Sequence, residues 1–299
     1  MIDLERLQTE RVNELTRNID SMSTLEAVKL INSEDKKVAL ALEKELPNIA
    51  RAVDVIYSQI KNGGRLIYVG CGTSGRLGVL DAVECPPTFG TDPELVQALI
   101  AGGSSAFVKA KEGAEDNRDL GREDLQNIHF SAKDALVGIA ASGRTPYVIG
   151  AMEYARSLGA PTISLSCCEN SAVSQLADIA ITPLPGPEVI TGSTRLKSGT
   201  AQKMVLNMLS TTVMIKLGKV YGNLMVDVKA TNEKLLERTV SIVRSATGAD
   251  ERVARATLQK CGYSAKTAIV MLLLRCGAEE AVQALDQADG RIVNVLPRE

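Results

Sequence analysis

The chain is predicted to be an α/β protein, with a five-stranded parallel sheet covered by helices on both faces and a small helical domain at the C-terminal end. Three observations predict this. Five short apolar runs (66–69, 96–100, 135–140, 162–165 and 179–181) alternate with segments of helical spacing at about 75–84, 116–127, 145–158 and 171–177, and alternation of this kind builds parallel sheets buried on both faces. The first run leads straight into Gly70-Cys71-Gly72-Thr73-Ser74-Gly75 and then a helix, an order that aims backbone N–H groups at an anion. Beyond residue 230 the pattern changes to short helical segments separated by glycine turns.

Residues 1–34 form a polar arm with helix-like spacing (Leu4, Leu7, Val12, Leu15) and a candidate cap at Ser23-Thr24. Such an arm has no core of its own and is expected to pack on another surface or subunit. The sheet domain is placed at 35–225. It opens with one amphipathic helix over 35–62, where Val38, Leu42, Leu46, Ile49, Val53 and Ile56 recur at helical spacing before Asn62-Gly63-Gly64. The helix after the glycine loop is expected to stop at Pro86-Pro87, and another is expected over 204–219. The C-terminal domain, 230–299, reads as helices at about 230–246, 249–260, 264–275 and 277–286. Cys261-Gly262-Tyr263 and the two helical stretches after it look like a ubiquitin-associated three-helix unit, read here as a small appendage that packs on the main domain.

Composition narrows the function. With 34 basic and 36 acidic residues mixed along the chain, a polybasic nucleic-acid surface is not expected. The N-terminus is charged from residue 3 and the apolar stretches are too short for a bilayer, so a cytoplasmic protein is expected. The six cysteines show no CxxC spacing and read as reduced thiols. One histidine, His129 in a polar connection, leaves no histidine metal cluster, and no tryptophan is present to stack on bases. Chemistry is left to carboxylates, lysines and hydroxyls.

The run Gly70-x-Gly72-x-x-Gly75 matches a dinucleotide fingerprint, but the second strand ends in Ala101-Gly102-Gly103-Ser104-Ser105 without the acid that would hold a ribose. A phosphate loop for a smaller ligand fits better, with Gly72, Thr73 and Ser74 as donors. The third strand runs into Ala141-Ser142-Gly143-Arg144-Thr145-Pro146, a second hydroxyl-bearing turn, and Ser142, Arg144 and Thr145 join the candidate phosphate contacts. In the Gly/Pro-rich segment 183–203, Gly192 to Lys197-Ser198 imitates a nucleotide P-loop without the glycine before the lysine or a leading strand. A Walker loop is rejected there. Lys197, Ser198 and Thr200 are kept as anion contacts, and Glu188 as a partner for sugar hydroxyls.

GCGTSGRLG, IAASGRTPYVIGAMEYARSLGA and GPEVITGSTRLKSGTAQKM together resemble a sugar isomerase (SIS) domain of the N-acetylmuramic acid 6-phosphate etherase family, over nearly the whole chain. The first two motifs are shared by SIS domains generally. The third is narrower and is approximated in the glucokinase regulatory protein, a non-enzymatic relative. The resemblance implies an SIS three-layer, flavodoxin-like sandwich and a cell-wall recycling enzyme. That enzyme splits the lactyl ether of N-acetylmuramic acid 6-phosphate into N-acetylglucosamine 6-phosphate and D-lactate, without cofactor or metal. It also implies two catalytic carboxyls, Glu84 in DAVECPP as the acid that protonates lactate and Glu115 in EGAEDN as the base, with Glu112 three residues from it.

Those roles suit the chemistry. Ring opening exposes an aldehyde that acidifies the hydrogen on the next carbon. A base removes that hydrogen, an acid protonates the departing lactate oxygen, and water adds to the unsaturated aldehyde; each well-placed group contributes about 10²–10⁴-fold. Glu84, expected at a helix C-terminus and partly buried, would favour its protonated form, whereas Lys111 and Arg118 near Glu115 favour a carboxylate. Ser74 and Glu84 stand about 15 Å apart along one helix, so a site shared across a homodimer is expected. The alternatives are a sugar-phosphate-sensing regulator and an aldose–ketose isomerase. Glu84 and the short chain weigh against the first, and GPEVITGSTRLKSG against the second.

Overall fold

The structure is a computed structural model that describes residues 8–109, 111, 113–228 and 232–295. These divide into two compact units. One runs to Val83 and continues over Glu94–Ser210; the other comprises Glu84–Pro93 and the chain from Thr211 onward.

The first unit begins with three 3₁₀ turns (Gln8–Glu10, Glu14–Thr16, Ile19–Ser21), then α1 (Thr24–Glu43) and α2 (Leu46–Lys61). Ser23 caps α1 as expected, with Glu26 reaching back to the Ser23 N–H at 2.9 Å in a capping box. Two corrections follow. No break falls at residue 34, because α1 runs through it, and the helix read over 35–62 is two helices. Pro47 causes the split: it has no N–H for the Glu43 carbonyl, and it sits in the first turn of α2 where that loss is harmless.

The sheet follows as β1 (Leu66–Gly70), α3 (Gly72–Phe89), β2 (Val96–Ile100), α4 (Ser105–Val108), α5 (Arg118–Asn127), β3 (Ala135–Ile139), α6 (Pro146–Ser157), β4 (Thr162–Leu165), α7 (Ala172–Leu176) and β5 (Ile179–Ile181). Strand order is β2-β1-β3-β4-β5, every pair parallel. Alternate residues of β1 and β3 point to opposite faces. Ile67, Val69 and Leu136 pack against Val148, Ala151 and Met152 of α6. On the other face α3 lies so close that a Cβ on Gly78 would stand 3.1 Å from the Cβ of Tyr68. This is the expected three-layer α/β sandwich.

The structure corrects the end of α3. Pro86 and Pro87 lie inside the helix, which continues to Phe89 and stops at Gly90 in the left-handed region (φ 64°). Cys85 and Phe89 are both buried and anchor this last turn. The next helix, α8 (Lys197–Lys216), starts earlier than the expected 204, for a reason given below.

The second unit adds a hairpin, β6 (Val220–Tyr221) with β7 (Leu224–Met225), absent from the sequence reading. It then forms α9 (Glu233–Thr247), α10 (Glu251–Lys260), α11 (Ala265–Leu274), α12 (Ala278–Gln287) and α13 (Ile292–Val295), packed on one core that includes Val243, Leu258 and Ile269.

Candidate active site

Gly70 is the Cα partner of Ile139, so the turns after β1 and β3 leave the sheet side by side at its C-terminal edge. Ligands bind at that edge in open parallel sheets. A wider depression of about 590 Å³ lies at the opposite edge, lined by Ala132, Pro161 and Asp178, each just ahead of a strand. It collects none of the expected residues. Asp178 there is occupied by the Thr162 N–H and hydroxyl.

The β1 turn is built by close approach. A Cβ on Gly75 would fall 2.6 Å from the Gly70 carbonyl oxygen and 2.7 Å from Ile100 Cγ1, so only glycine lets α3 begin this near the sheet. The Gly75 N–H donates to the Cys71 carbonyl, so the N–H groups of Gly72, Thr73 and Ser74 are the orphan donors of the first turn. Ser74 is buried and its Oγ donates to Gln202 Oε1 of α8 at 2.9 Å. Gly199 stands close by, since a Cβ there would lie 3.4 Å from Thr73 Cγ2. Two helix N-termini therefore meet beside this loop.

One of them is already neutralised. The Glu188 carboxylate accepts from the backbone N–H groups of Lys197 at 2.8 Å and Ser198 at 2.9 Å, fully buried, and this cap is why α8 starts at Lys197. Lys197 is buried as well: its Nζ meets Glu34 Oε2 at 2.7 Å and the Pro185 carbonyl at 3.0 Å. The reading of Glu188 as a sugar-hydroxyl partner and of Lys197 as an open anion contact is corrected by these bonds. Thr200 is exposed, with its hydroxyl donating to the Leu196 carbonyl. Ser198 lines a cavity of about 100 Å³ with Gln8, Arg11 and Cys167.

Glu115 sits in the 3₁₀ turn Ala114–Asp116 and shares a cavity of about 170 Å³ with Cys71, Gly72, Arg76 and Lys111. The first turn of α3 and an exposed carboxylate thus face one space. Arg76 donates to the Phe107 and Ala106 carbonyls at 2.8 and 2.9 Å, and Lys111 to the Gly102 carbonyl at 2.8 Å. Burial, then the Glu115 charge, pushes the Cys71 thiol up to about 12, so it stays neutral. Glu112 lies outside the described residues.

Glu84 is exposed on α3 and, because the helix passes through Pro86-Pro87, it does not stand at a helix end. Neither the burial nor the dipole expected at that position is present within one chain. Half-buried on the same helix is Asp81, which sequence reading missed. It accepts from the Tyr68 hydroxyl at 2.8 Å and Ser210 Oγ at 3.0 Å, and burial pushes its carboxyl up to about 6.

Ser142 and Arg144 line a third cavity, of about 380 Å³, with Gln8, Arg11, Cys168 and Ser171. Thr145 does not join them; it is the N-cap residue of α6, ahead of Pro146. Gln8 and Arg11, unmarked by any periodic pattern in the sequence, are brought here by the N-terminal turns. Thr16 Oγ1 donates to the Val189 carbonyl at 2.8 Å, and Asn13 Nδ2 to Glu34 at 3.0 Å. Among the described residues no group of three or more His, Cys, Asp or Glu is arranged to hold a metal, and no helix is long and apolar enough to cross a membrane.

Comparison with known proteins identifies the fold and the family. Residues 48–156 match the glucokinase regulatory protein N-terminal SIS domain, 121–212 the SIS domain, and 222–268 the C-terminal lid domain of glucokinase regulatory protein. Among solved structures, a putative phosphosugar isomerase involved in capsule formation from Bacteroides fragilis aligns with TM-score 0.53 at 17% identity, covering 67% of this chain and 95% of its own. A phosphoheptose isomerase from Neisseria gonorrhoeae aligns with TM-score 0.50 at 18% identity, covering 64% and 98%. These share the SIS fold. The N-acetylmuramic acid 6-phosphate etherase of Clostridium beijerinckii is 59% identical over 99% of this chain and 97% of its own, and that of Escherichia coli O1:K1 is 58% identical over the full length of both. The chain belongs to the N-acetylmuramic acid 6-phosphate etherase family.

Proposed function

We propose that the chain is a carbon–oxygen lyase that releases D-lactate from N-acetylmuramic acid 6-phosphate and leaves N-acetylglucosamine 6-phosphate, in peptidoglycan recycling. The observation that carries the chemistry is the cavity that sets Glu115 beside Gly72. A phosphate on the first-turn N–H groups of α3 holds the sugar, with the Ser142–Thr145 turn beside it. Glu115 takes the hydrogen next to the aldehyde of the opened ring. The C3–O bond then breaks, and Glu84 gives its proton to the lactate oxygen. Water adds at C3 and a proton returns to C2.

Glu84 is exposed in the single chain, and a general acid gains from desolvation that holds its proton. That supports a homodimer in which Glu84 reaches sugar bound by the partner and is buried on assembly. The six thiols, none of them paired, suit a reducing cytoplasm.

The test is lactate release from N-acetylmuramic acid 6-phosphate in deuterated water. Wild type releases lactate. Glu84→Ala loses release yet still exchanges the hydrogen at C2, and Glu115→Ala loses both. A wild-type protein that binds sugar phosphates without releasing lactate would make the chain a sensor instead.

A further inference from the structure

The segment from Ala101 to Asp116 joins β2 to α5 and carries Glu115. Packing holds little of it. Ala106 is buried, but Phe107, Val108, Lys111 and Glu115 are exposed. Its regular structure is the four-residue α4 and the 3₁₀ turn Ala114–Asp116. A helix as short as α4 leaves its carbonyls without intrahelical partners.

Arg76 supplies those partners from α3. Its Nε donates to the Phe107 carbonyl at 2.8 Å and a terminal nitrogen donates to the Ala106 carbonyl at 2.9 Å. The flat guanidinium thus grips two consecutive carbonyls of α4, a geometry its fixed fork suits and an ammonium does not. Lys111 closes the segment on itself, donating to the Gly102 carbonyl at 2.8 Å. Arg76 lies one helical turn beyond Gly72, so the two share a face of α3. Both line the 170 Å³ cavity together with Ala106, Lys111 and Glu115. The guanidinium therefore joins two walls of one space: the first turn of α3 and the segment that carries the carboxylate.

We infer that Arg76 is a positioning residue for proton abstraction: it clamps the segment between β2 and α5 to α3 and so fixes where Glu115 stands against the bound sugar. The inference rests on the etherase reading, with Glu115 as the base. Arg76 spends its fork on backbone carbonyls, so its effect falls on the rate of the C2–H step rather than on binding. A base displaced by a fraction of its reach loses most of its advantage.

The experiment measures kcat and KM for lactate release, deuterium exchange at C2, and the inhibition constant of N-acetylglucosamine 6-phosphate, in wild type, Arg76→Ala and Arg76→Lys. Arg76→Ala is expected to lower kcat and C2 exchange together, about 10–100-fold. KM and the inhibition constant are expected to stay within about twofold. Arg76→Lys, which keeps charge without the fork, falls between. Guanidinium ion at a non-denaturing concentration is expected to restore part of the rate in Arg76→Ala and to leave wild type unchanged, a response that general destabilisation does not give. Amide hydrogen exchange at Ala106, Phe107 and Lys109, each bonded within the segment, rises in Arg76→Ala. If KM and the inhibition constant rise together, Arg76 holds phosphate; if kcat is unchanged or guanidinium restores nothing, the segment keeps its place without the clamp. Each of these results overturns the inference and leaves the etherase reading standing. Should Arg76→Ala fail to fold, Arg76→Lys carries the same comparison. A wild type that releases no lactate removes the etherase reading and this inference with it.

Discussion

Lys197 Nζ and Glu34 Oε2 meet at 2.7 Å with each side chain at 1–2% exposure, although the residues are 163 positions apart. Asn13 Nδ2 donates to the same oxygen, Lys197 also holds the Pro185 carbonyl, and Asn13 also donates to the Pro187 carbonyl. The N-terminal turns, α1 and the loop ahead of α8 are tied at one buried point. Removing Glu34 leaves the buried Lys197 ammonium with the Pro185 carbonyl and no counter-charge, so Glu34→Leu alone is expected to cost about 3–5 kcal/mol, and Lys197→Met less, because Glu34 keeps Lys37 and Asn13. The double variant should recover much of that loss. Urea unfolding of the three variants checks it.

The same pair sets an acid limit. Burial raises the Glu34 carboxyl, but the bonds from Lys197, Lys37 and Asn13 outweigh it and hold the group at about 2. A depressed folded value gives stability that is complete above the ordinary carboxyl value near 4.5 and lost as pH falls toward 2. The stability gap between wild type and Glu34→Gln is therefore widest at pH 7 and narrows below about pH 4.5. A gap constant down to pH 3 would contradict it.

Asp81 has the opposite sign. Its folded value, about 6 against an ordinary 3.8, means that ionisation opposes the fold. The cost is absent below pH 3.8, grows as pH rises, and is complete above about 6. Wild type is expected to lose up to about 2–3 kcal/mol between pH 4 and pH 7 through this group. Asp81→Asn should lose less over that interval, so its stability relative to wild type improves with rising pH. Unfolding curves at matched ionic strength across the interval measure it.

The strands were legible because each apolar run ends in a turn, and β2, β4 and β5 fall where the runs do. Local chemistry misled at Pro86-Pro87, since a buried last turn overrides the proline penalty. It misled again at Glu188 and Lys197. Charged residues in a Gly/Pro-rich loop look like ligand contacts until the fold supplies their partners, and Glu34 is too far along the chain for any spacing rule. Glu115 and the phosphate loop were readable as motifs, but the cavity they share is a product of the β1 and β2 turns. Gln8 and Arg11 gave no signal, because the helix-like spacing that takes in Val12 and Leu15 falls on a stretch of 3₁₀ turns and marks neither polar residue.

Gly75 tests how tightly the loop is built. Gly75→Ala would drive a methyl into the Gly70 carbonyl and Ile100. A backbone atom cannot step aside, so α3 must retreat from the sheet at a cost of about 1–3 kcal/mol. The first-turn N–H groups move with it, and KM for the sugar phosphate should rise even where the variant is folded. Thermal melting and steady-state kinetics on one preparation separate the two effects.

Ser74 and Gln202 make the last test, because their bond joins the loop to α8. Ser74 Oγ donates to Gln202 Oε1, while Gln202 Nε2 is buried with no partner among the described residues. Ser74→Ala leaves both ends of a buried amide unmet, a cost of about 1–3 kcal/mol. If the pair only braces two helices, stability falls and the kinetics of the folded variant stay put. If it also presents the α3 N-terminus to phosphate, KM rises several-fold with kcat little changed, because the lost contact is made equally in ground and transition states. We expect the second result. Gln202→Leu, which removes the amide while sparing the Ser74 hydroxyl, should raise KM in the same direction. A Ser74→Ala variant with normal KM would leave the pair a brace and shift the phosphate seat toward the β3 turn.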